Sequence, residues 1–243
     1  MELREFTLKI DKWDKRIILR YNGKGGKPIL YILKFVSFFG RETLWFFLIF
    51  FYIFIWYDPF LFSYISSTFL IGLLFILVIK QIVNRARPFE KFNQIELKVF
   101  ERKPTSKSFP SWHSYNIVSQ GLLFGLFFLR SPLITILIIV FSIIVSFSRI
   151  QLGVHYPSDV IAGFCIGIIG FFLSIYIISP IFLNTIIYLE QFITYEIQYR
   201  KINSWLYEKI WYLLLTILIF CILLLIAIYK KVKEIIKTKL LND

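Results

Sequence analysis

The chain is poor in what builds disulfide frameworks and metal sites. It has two cysteines and two histidines in 243 residues. Cys165 and Cys221 both fall inside apolar runs, so they read as small buried residues and not as a disulfide or a metal pair. No cluster of His, Asp and Glu has the spacing of metal ligands, so no metal and no cofactor is expected. Acidic side chains are also scarce, 15 against 28 Lys and Arg, which leaves a formal charge of +13. Charges continue through Arg20 with no short apolar core before a small-residue cleavage site, so a cleavable signal peptide is not expected. The stretch Asn22-Gly23-Lys24-Gly25-Gly26-Lys27-Pro28 lacks the ordered spacing of a phosphate-binding loop and reads as a flexible breaker. No repeat or low-complexity tract stands out.

What the chain has in excess is apolar surface. Hydrophobic residues make up 58% and aromatic residues 20%, and the mean hydropathy is +0.70. Soluble domains hold about 45–50% apolar residues, so a multi-span helical membrane protein is the economical reading. The length fits one bundle. On a soluble protein the charge of +13 would suggest nucleic acid. Here it reads as basic loops facing anionic lipid, plus a few basic groups for an anionic substrate. The bilayer is the expected partner and nucleic acid is not.

In residues 2–20, Phe6, Ile10, Trp13 and Ile17 recur at helical spacing among Lys9, Lys12, Lys15 and Arg16. That pattern predicts an amphipathic helix, either on the bilayer surface or solvated and packed on the bundle. A short apolar helix interrupted by Lys34 follows over 29–40, and reads as interfacial. Six apolar spans come next, at about 44–57, 60–79, 115–129, 132–147, 160–178 and 211–229. Gly163, Gly167 and Gly170 give the fifth a small-residue face for close helix contact. Residues 181–210 carry Glu190, Glu196 and Arg200, which favours an interfacial helix over a seventh span. The expected fold is all-α: an integral membrane bundle of about six transmembrane helices with an N-terminal amphipathic interfacial helix. Its segments are 1–43, a membrane core over 44–178, and 179–243 with the last span and a basic tail.

With that layout, the loop between spans two and three and the loop between spans four and five lie on one side. Both histidines, His113 and His155, are there. Three polar clusters converge on that side. In the first, Lys80 and Arg87 are seven residues apart, which places them on one helix face, with Pro88 stopping the helix. The plainer alternative is a basic flank snorkelling to the interface. In the second, Ser111 is placed to cap a helix whose first N–H groups favour an anion, and His113 follows. Here the plainer alternative is a capping serine beside an interfacial Trp-His pair. The third runs from Ser148 to Asp159. If the chain turns helical near Tyr156, His155 and Asp159 face the same way. A carboxylate there fixes the imidazole tautomer and leaves the other nitrogen as nucleophile or base. Arg149 offers a fork for phosphate oxygens. A juxtamembrane loop with scattered polar residues is the alternative.

Together the three clusters resemble, in order and spacing, the three-part signature of the type 2 phosphatidic acid phosphatase family. The matching residues are Lys80 to Arg87-Pro88, Pro110-Ser111-Trp112-His113, and Ser148-Arg149 to His155 and Asp159. The resemblance covers roughly residues 44–178. It implies a six-helix bundle that hydrolyses lipid phosphates without a metal, with 44–178 as the catalytic core. His155 would be the nucleophile that forms a phosphohistidine, Asp159 would orient and charge-balance it, and His113 would protonate the leaving alkoxide. Lys80, Arg87, Ser111 and Arg149 would hold phosphoryl oxygens, with the Trp112 backbone N–H as a further donor. Trp112 departs from the family, which usually has glycine there. An indole narrows the room around the phosphate, and it is also an ordinary interfacial anchor.

The expected substrate is a membrane lipid phosphate or diphosphate: phosphatidylglycerophosphate, phosphatidate or undecaprenyl diphosphate, with lipid A as the alternative. A non-enzymatic lipid-phosphate binding or transport protein is the reading from a different class, and it would need a broken catalytic set. The family implies a multi-pass protein of the bacterial inner (cell) membrane with its site facing the periplasm or exterior. Charge counting points the other way. Residues 1–43 hold ten Lys and Arg and residues 81–110 hold seven, which with six spans would place both termini and the site in the cytoplasm.

Overall fold

In the computed structural model, which describes residues 3–93, 95–193 and 197–240, helices account for most of the chain. Helix α1 is Leu3–Tyr21. Asp14 and Ile18 are fully buried on it, while Phe6, Leu8, Trp13 and Leu19 are exposed. One stripe of α1 therefore packs on the bundle, and a second set of apolar side chains stays outside, as suits an interfacial helix. A turn with Gly25 at φ 92°, a conformation other residues resist, leads into α2, Gly26–Ser37. Leu30 and Leu33 of α2 pack with Leu152 and Val154.

Helix α3 is Glu42–Phe50 and passes into a π-type turn, Phe51–Ile55. The two-residue strand β1, Trp56–Tyr57, precedes α4, Pro59–Val83. Asp58 caps α4 by accepting from the Phe60 and Leu61 N–H groups at 3.0 Å each. The sequence pattern placed Lys80 and Arg87 on one helix face, and the structure corrects this. Asn84 turns left-handed at φ 47° and ends α4, so Arg87 sits on extended backbone ahead of α5, Pro88–Lys91. Residues before proline resist the helical region.

Helix α6, Trp112–Leu123, extends through a π-type turn, Phe124–Phe128. It is the innermost helix of its unit, and residues from Ser114 to Gly121 are buried. Two of its buried amides donate to neighbouring backbone: Asn116 to Gly40 O at 3.3 Å and Gln120 to Ile65 O at 3.2 Å. Helix α7 is Pro132–Gln151 and α8 is Pro157–Leu173. The glycine face of α8 lies against α6. A Cβ on Gly163 would come 2.3 Å from Ser111 O, and one on Gly170 would come 2.5 Å from the Tyr115 hydroxyl.

A second correction follows. Among the described residues of 181–210, no separate long helix forms. Instead α8 continues through a π-type turn, Ser174–Ile178, into α9, Ser179–Glu190, as one helical rod from Pro157 to Glu190. Pro180 lacks the N–H that would pair one turn back, and the π-type turn sits where that bond is lost. Glu196 lies outside the described residues. Strand β2, Lys201–Ile202, pairs antiparallel with β1, and α10, Trp205–Glu208, and α11, Ile210–Leu240, complete the chain. A third correction concerns Cys165 and Cys221, which are free and exposed on the outer sides of their helices. They occupy helix positions that face away from neighbouring helices.

Among the described residues, Pro59–Lys91, Pro132–Gln151, Pro157–Glu190 and Ile210–Tyr229 are long and apolar enough to cross a membrane, and α2 with α3 makes a fifth if counted as one broken span. The buried α6 needs no lipid-facing surface, which allows it to be short and polar. By contacts the chain divides into two compact units. The first holds residues 1–42 and 64–182, and the second holds 43–63 and 183–243. The second unit is tied by Arg200 Nε to Asp58 at 3.0 Å and by Tyr57 and Tyr199, which both donate to Glu190.

Candidate active site

All the residues of the three sequence clusters lie in the first unit, and the backbone stitches them together. The Ser111 N–H donates to Asp159 O at 2.9 Å and Ser108 N–H to Arg85 O at 2.9 Å, so the second cluster is tied to the third and to the first. Ser111 is the N-cap of α6, and its hydroxyl accepts from the Ser114 N–H at 3.4 Å. Trp112, as first residue of α6, has an N–H without an intrahelical acceptor. Its indole stacks on Tyr115 at 5.7 Å and meets Phe69 edge-on at 5.4 Å.

His155 sits between a carboxylate and an arginine. Its Nδ1 is 3.5 Å from Asp159 Oδ2, and its Nε2 is 3.2 Å from Arg87 Nη1. A guanidinium only donates, so Nε2 must be the acceptor nitrogen and the ring proton belongs on Nδ1, facing Asp159. The geometry thus selects the tautomer with a lone pair on Nε2. Asp159 is at N3 of α8 and caps it through the Tyr156 N–H at 2.9 Å. The same Oδ2 accepts from the Ser108 hydroxyl at 2.5 Å, and Oδ1 accepts from Arg85 at 2.8 Å.

Three cations are held inside around this pair. Lys80, Arg87 and Arg149 are 7%, 2% and 2% exposed. Lys80 Nζ donates to Lys107 O at 2.5 Å, and Arg87 donates to Ser106 O at 2.6 Å and Val154 O at 2.8 Å. Arg149 donates to Ser37 Oγ at 2.5 Å and to Glu101. Glu101 also pairs with Arg41 at 2.7 Å. Cations buried to this degree are costly unless an anion compensates them. Burial first, and then the charges of Arg87, Lys80 and Arg149, push His155 well below the ordinary imidazole range. Burial, then Arg149, His155, Arg41 and Arg87, do the same to His113. His113 Nε2 is buried with no hydrogen-bond partner, and its Cβ and carbonyl lie against Gly40, where an added Cβ would come within 3.0 Å of both.

The family model of the PAP2 superfamily matches residues 56–182, just over half of the chain. The chain belongs to the PAP2 superfamily. Similar proteins include the undecaprenyl-diphosphatase of Sulfolobus acidocaldarius, 44% identical over 103 residues, covering 42% of this chain and 48% of that one. The chain thus spans about half the length of that curated relative. Among solved structures, Aquifex aeolicus LpxE aligns with a TM-score of 0.57 at 18% identity, covering 66% of this chain and 93% of that one. The PAP2 type phosphatidylglycerolphosphate phosphatase of Bacillus subtilis aligns at 0.52 with 21% identity, covering 77% and 90%. These likenesses show a shared transmembrane helical fold, and this PAP2 chain is a multi-pass membrane protein.

Several residues of this candidate site have no sequence signal of their own. Glu101 is one acid in a basic loop, yet it is 8% exposed and bridges two arginines. Ser108, Arg85 and Asp14 reach Asp159 directly or in one further step. A separate cavity of about 400 Å³ in the second unit is lined by Tyr57, Trp205 and Tyr212 and holds none of the signature residues.

Proposed function

We propose that this protein is a metal-independent membrane phosphatase that dephosphorylates a lipid phosphate or diphosphate through a phosphohistidine. The observation that carries the reading is the bracketed imidazole: Nδ1 toward Asp159 and Nε2 toward Arg87, amid three buried cations. Nε2 of His155 attacks phosphorus, and the P–O bond to the lipid breaks. Its electron pair goes to the leaving oxygen, which takes a proton from His113. Water then attacks the phosphohistidine with His113 as base, the P–N bond breaks, and phosphate leaves. Asp159 offsets the positive charge that the ring acquires on phosphorylation. Lys80, Arg87, Arg149, the Ser111 hydroxyl and the Trp112 N–H stabilise the equatorial oxygens. Splitting hydrolysis into two transfers avoids direct attack of water on a dianion.

The substrate is a lipid whose tail lies between helices and whose phosphate sits at the interface. Phosphatidylglycerophosphate and undecaprenyl diphosphate are favoured, in keeping with the activities in the names of the relatives, and phosphatidate is a third candidate. By analogy with the family, the proposed location is the bacterial inner membrane with the site facing the periplasm. Arg41, Arg85 and Arg87 are engaged by Glu101, by Asp11, Asp14 and Asp159, and by the nucleophile pocket, so part of the basic excess is site machinery and not a topology signal. Purified protein should release phosphate from a panel of these lipids with chelator present. Loss of release in His155→Ala is expected, and full release by that variant would discard the mechanism. Labelling a cysteine introduced near Asn93 in intact cells, with Cys165 and Cys221 replaced by serine, reads the orientation.

A further inference from the structure

The N-terminal helix lies outside the region matched by the family model, yet it delivers a buried carboxylate to the site. Asp14 is fully buried and 2.6 Å from Arg85 Nη2. It also accepts from the Ser158 N–H at 2.9 Å and the Ser158 hydroxyl at 2.5 Å, next to Asp159 in sequence. Arg85 passes its other nitrogen to Asp159 Oδ1 at 2.8 Å and to Ser158 Oγ at 2.7 Å. Asp11 adds a contact at 2.9 Å but is 47% exposed, and the Tyr156 ring lies 4.2 Å from the guanidinium. Four residues therefore run in series, Asp14, Arg85, Asp159 and His155, the last step being a 3.5 Å approach of Asp159 Oδ2 to Nδ1.

We propose that Asp14 and Arg85 are positioning residues for the nucleophile, and that α1 is a working part of the active site. This rests on His155 being the attacking group. The charge arithmetic explains why the pair is needed. His155 is faced by Arg87 and Lys80 from the α4 side, by Arg149 from α7, by His113 from α6, and by one carboxylate, Asp159, from α8. That carboxylate must serve His155 while also accepting from Arg85. An uncompensated Arg85 would draw Asp159 away and add one more positive charge beside an imidazole that must become cationic. Asp14 returns a negative charge to Arg85 in a geometry locked by Ser158. Signature residues elsewhere supply the contacts to phosphate, whereas this relay supplies none, so it should act on the rate of attack and not on substrate affinity.

The test uses the full chain in detergent with the isosteric variant Asp14→Asn and the charge-neutral double variant Asp14→Asn/Arg85→Gln. The expected result for Asp14→Asn is a fall of about tenfold or more in single-turnover phosphorylation, with KM within about twofold of wild type. Its acid limb of kcat/KM should move to lower pH, because a lost negative charge makes the imidazole harder to protonate. The double variant should recover part of the rate and the wild-type acid limb, because the charge is balanced again, and should stay below wild type because Asp159 has lost its Arg85 donor. A wild-type rate and limb in Asp14→Asn would overturn the proposal. So would a rate loss that tracks only lost folded protein and is not recovered in the double variant. The histidine ring ¹⁵N spectrum separates this from the parent reading, since the chain has two histidines and a His113 variant assigns them. If wild type releases no phosphate, the phosphatase reading fails. The His155 resonance then still reports the relay: a shift on Asp14→Asn supports it, and no shift overturns it.

Discussion

Arg87 places a guanidinium nitrogen 3.2 Å from Nε2 of His155. In the proposed reaction the arginine does two jobs that follow each other in time. Without phosphate it fixes the imidazole tautomer from the Nε2 side. With phosphate it has to turn its donors to the phosphoryl oxygens and release the lone pair. Arg87→Lys keeps the charge but loses the planar fork. A fall in kcat of about 10²-fold or more is expected from the loss of one fixed oxyanion donor, measured by phosphate release, with KM changing less than kcat.

Glu101 holds Arg149 and Arg41 together and is 8% exposed. Burial alone would raise its carboxyl, but Arg149 and Arg41 outweigh burial and hold it below the ordinary range. A group with a depressed folded value stabilises the fold above its unfolded value, about 4.3, and that contribution fades as pH falls through the lower one. Melting temperature should therefore drop on acidification below that range, and Glu101→Gln should flatten this part of the profile. Removing the competing carboxylate should also tighten vanadate inhibition by about threefold or more, since a nearby unit charge near a protein surface is worth a few kcal/mol at most.

His113 and His155 both lie below the ordinary imidazole range, for burial first and neighbouring cations second. His155 should stay neutral and ready to attack below pH 6.5, so the acid limb of kcat/KM should fall under about 6.5. Burial and the neighbouring cations favour the neutral ring of His113 in the free protein, whereas the proposed acid role requires a proton on it. A bound phosphate dianion raises it again. Binding of inorganic phosphate at pH 7 should thus take up protons, read by calorimetry in two buffers of different ionisation enthalpy. Proton release instead would assign the acid role elsewhere.

Trp112 stands where the PAP2 family usually has glycine, and its indole stacks on Tyr115 and abuts Phe69. Trp112→Gly removes those ring contacts from a partly exposed position. A stability loss of about 2 kcal/mol is expected, less than for a fully buried tryptophan. The space gained should raise kcat/KM for lipids with larger headgroups relative to phosphatidate, measured as a ratio on one substrate panel.

The juxtaposition of His155 and Asp159 was legible because its spacing is local. His155 and Asp159 are one helical turn apart, and Tyr156-Pro157 starts α8 where the spacing requires it. The glycine face of α8 and the cap at Ser111 were legible for the same reason. Arg87 was misplaced because Asn84, not Pro88, ends α4, and a left-handed asparagine leaves only a weak mark on a sequence. Glu101, Arg85 and Asp14 were invisible because their partners are distant along the chain: Ser158 is 144 residues from Asp14 and Asp159 is 74 from Arg85. No periodicity tells a buried acid in a basic loop from a solvated one. The rod through Glu190 was missed because Glu190, Glu196 and Arg200 weighed toward the interface, whereas Glu190 lies at the very end of the rod.

The most direct test is to trap the phosphoenzyme. Wild-type protein is mixed with a lipid substrate carrying labelled phosphate, quenched in alkali within one turnover, digested and mapped. The expected result is an alkali-stable, acid-labile label on the peptide carrying His155, absent in His155→Ala. A label on any other residue, or steady phosphate release from His155→Ala, would contradict it.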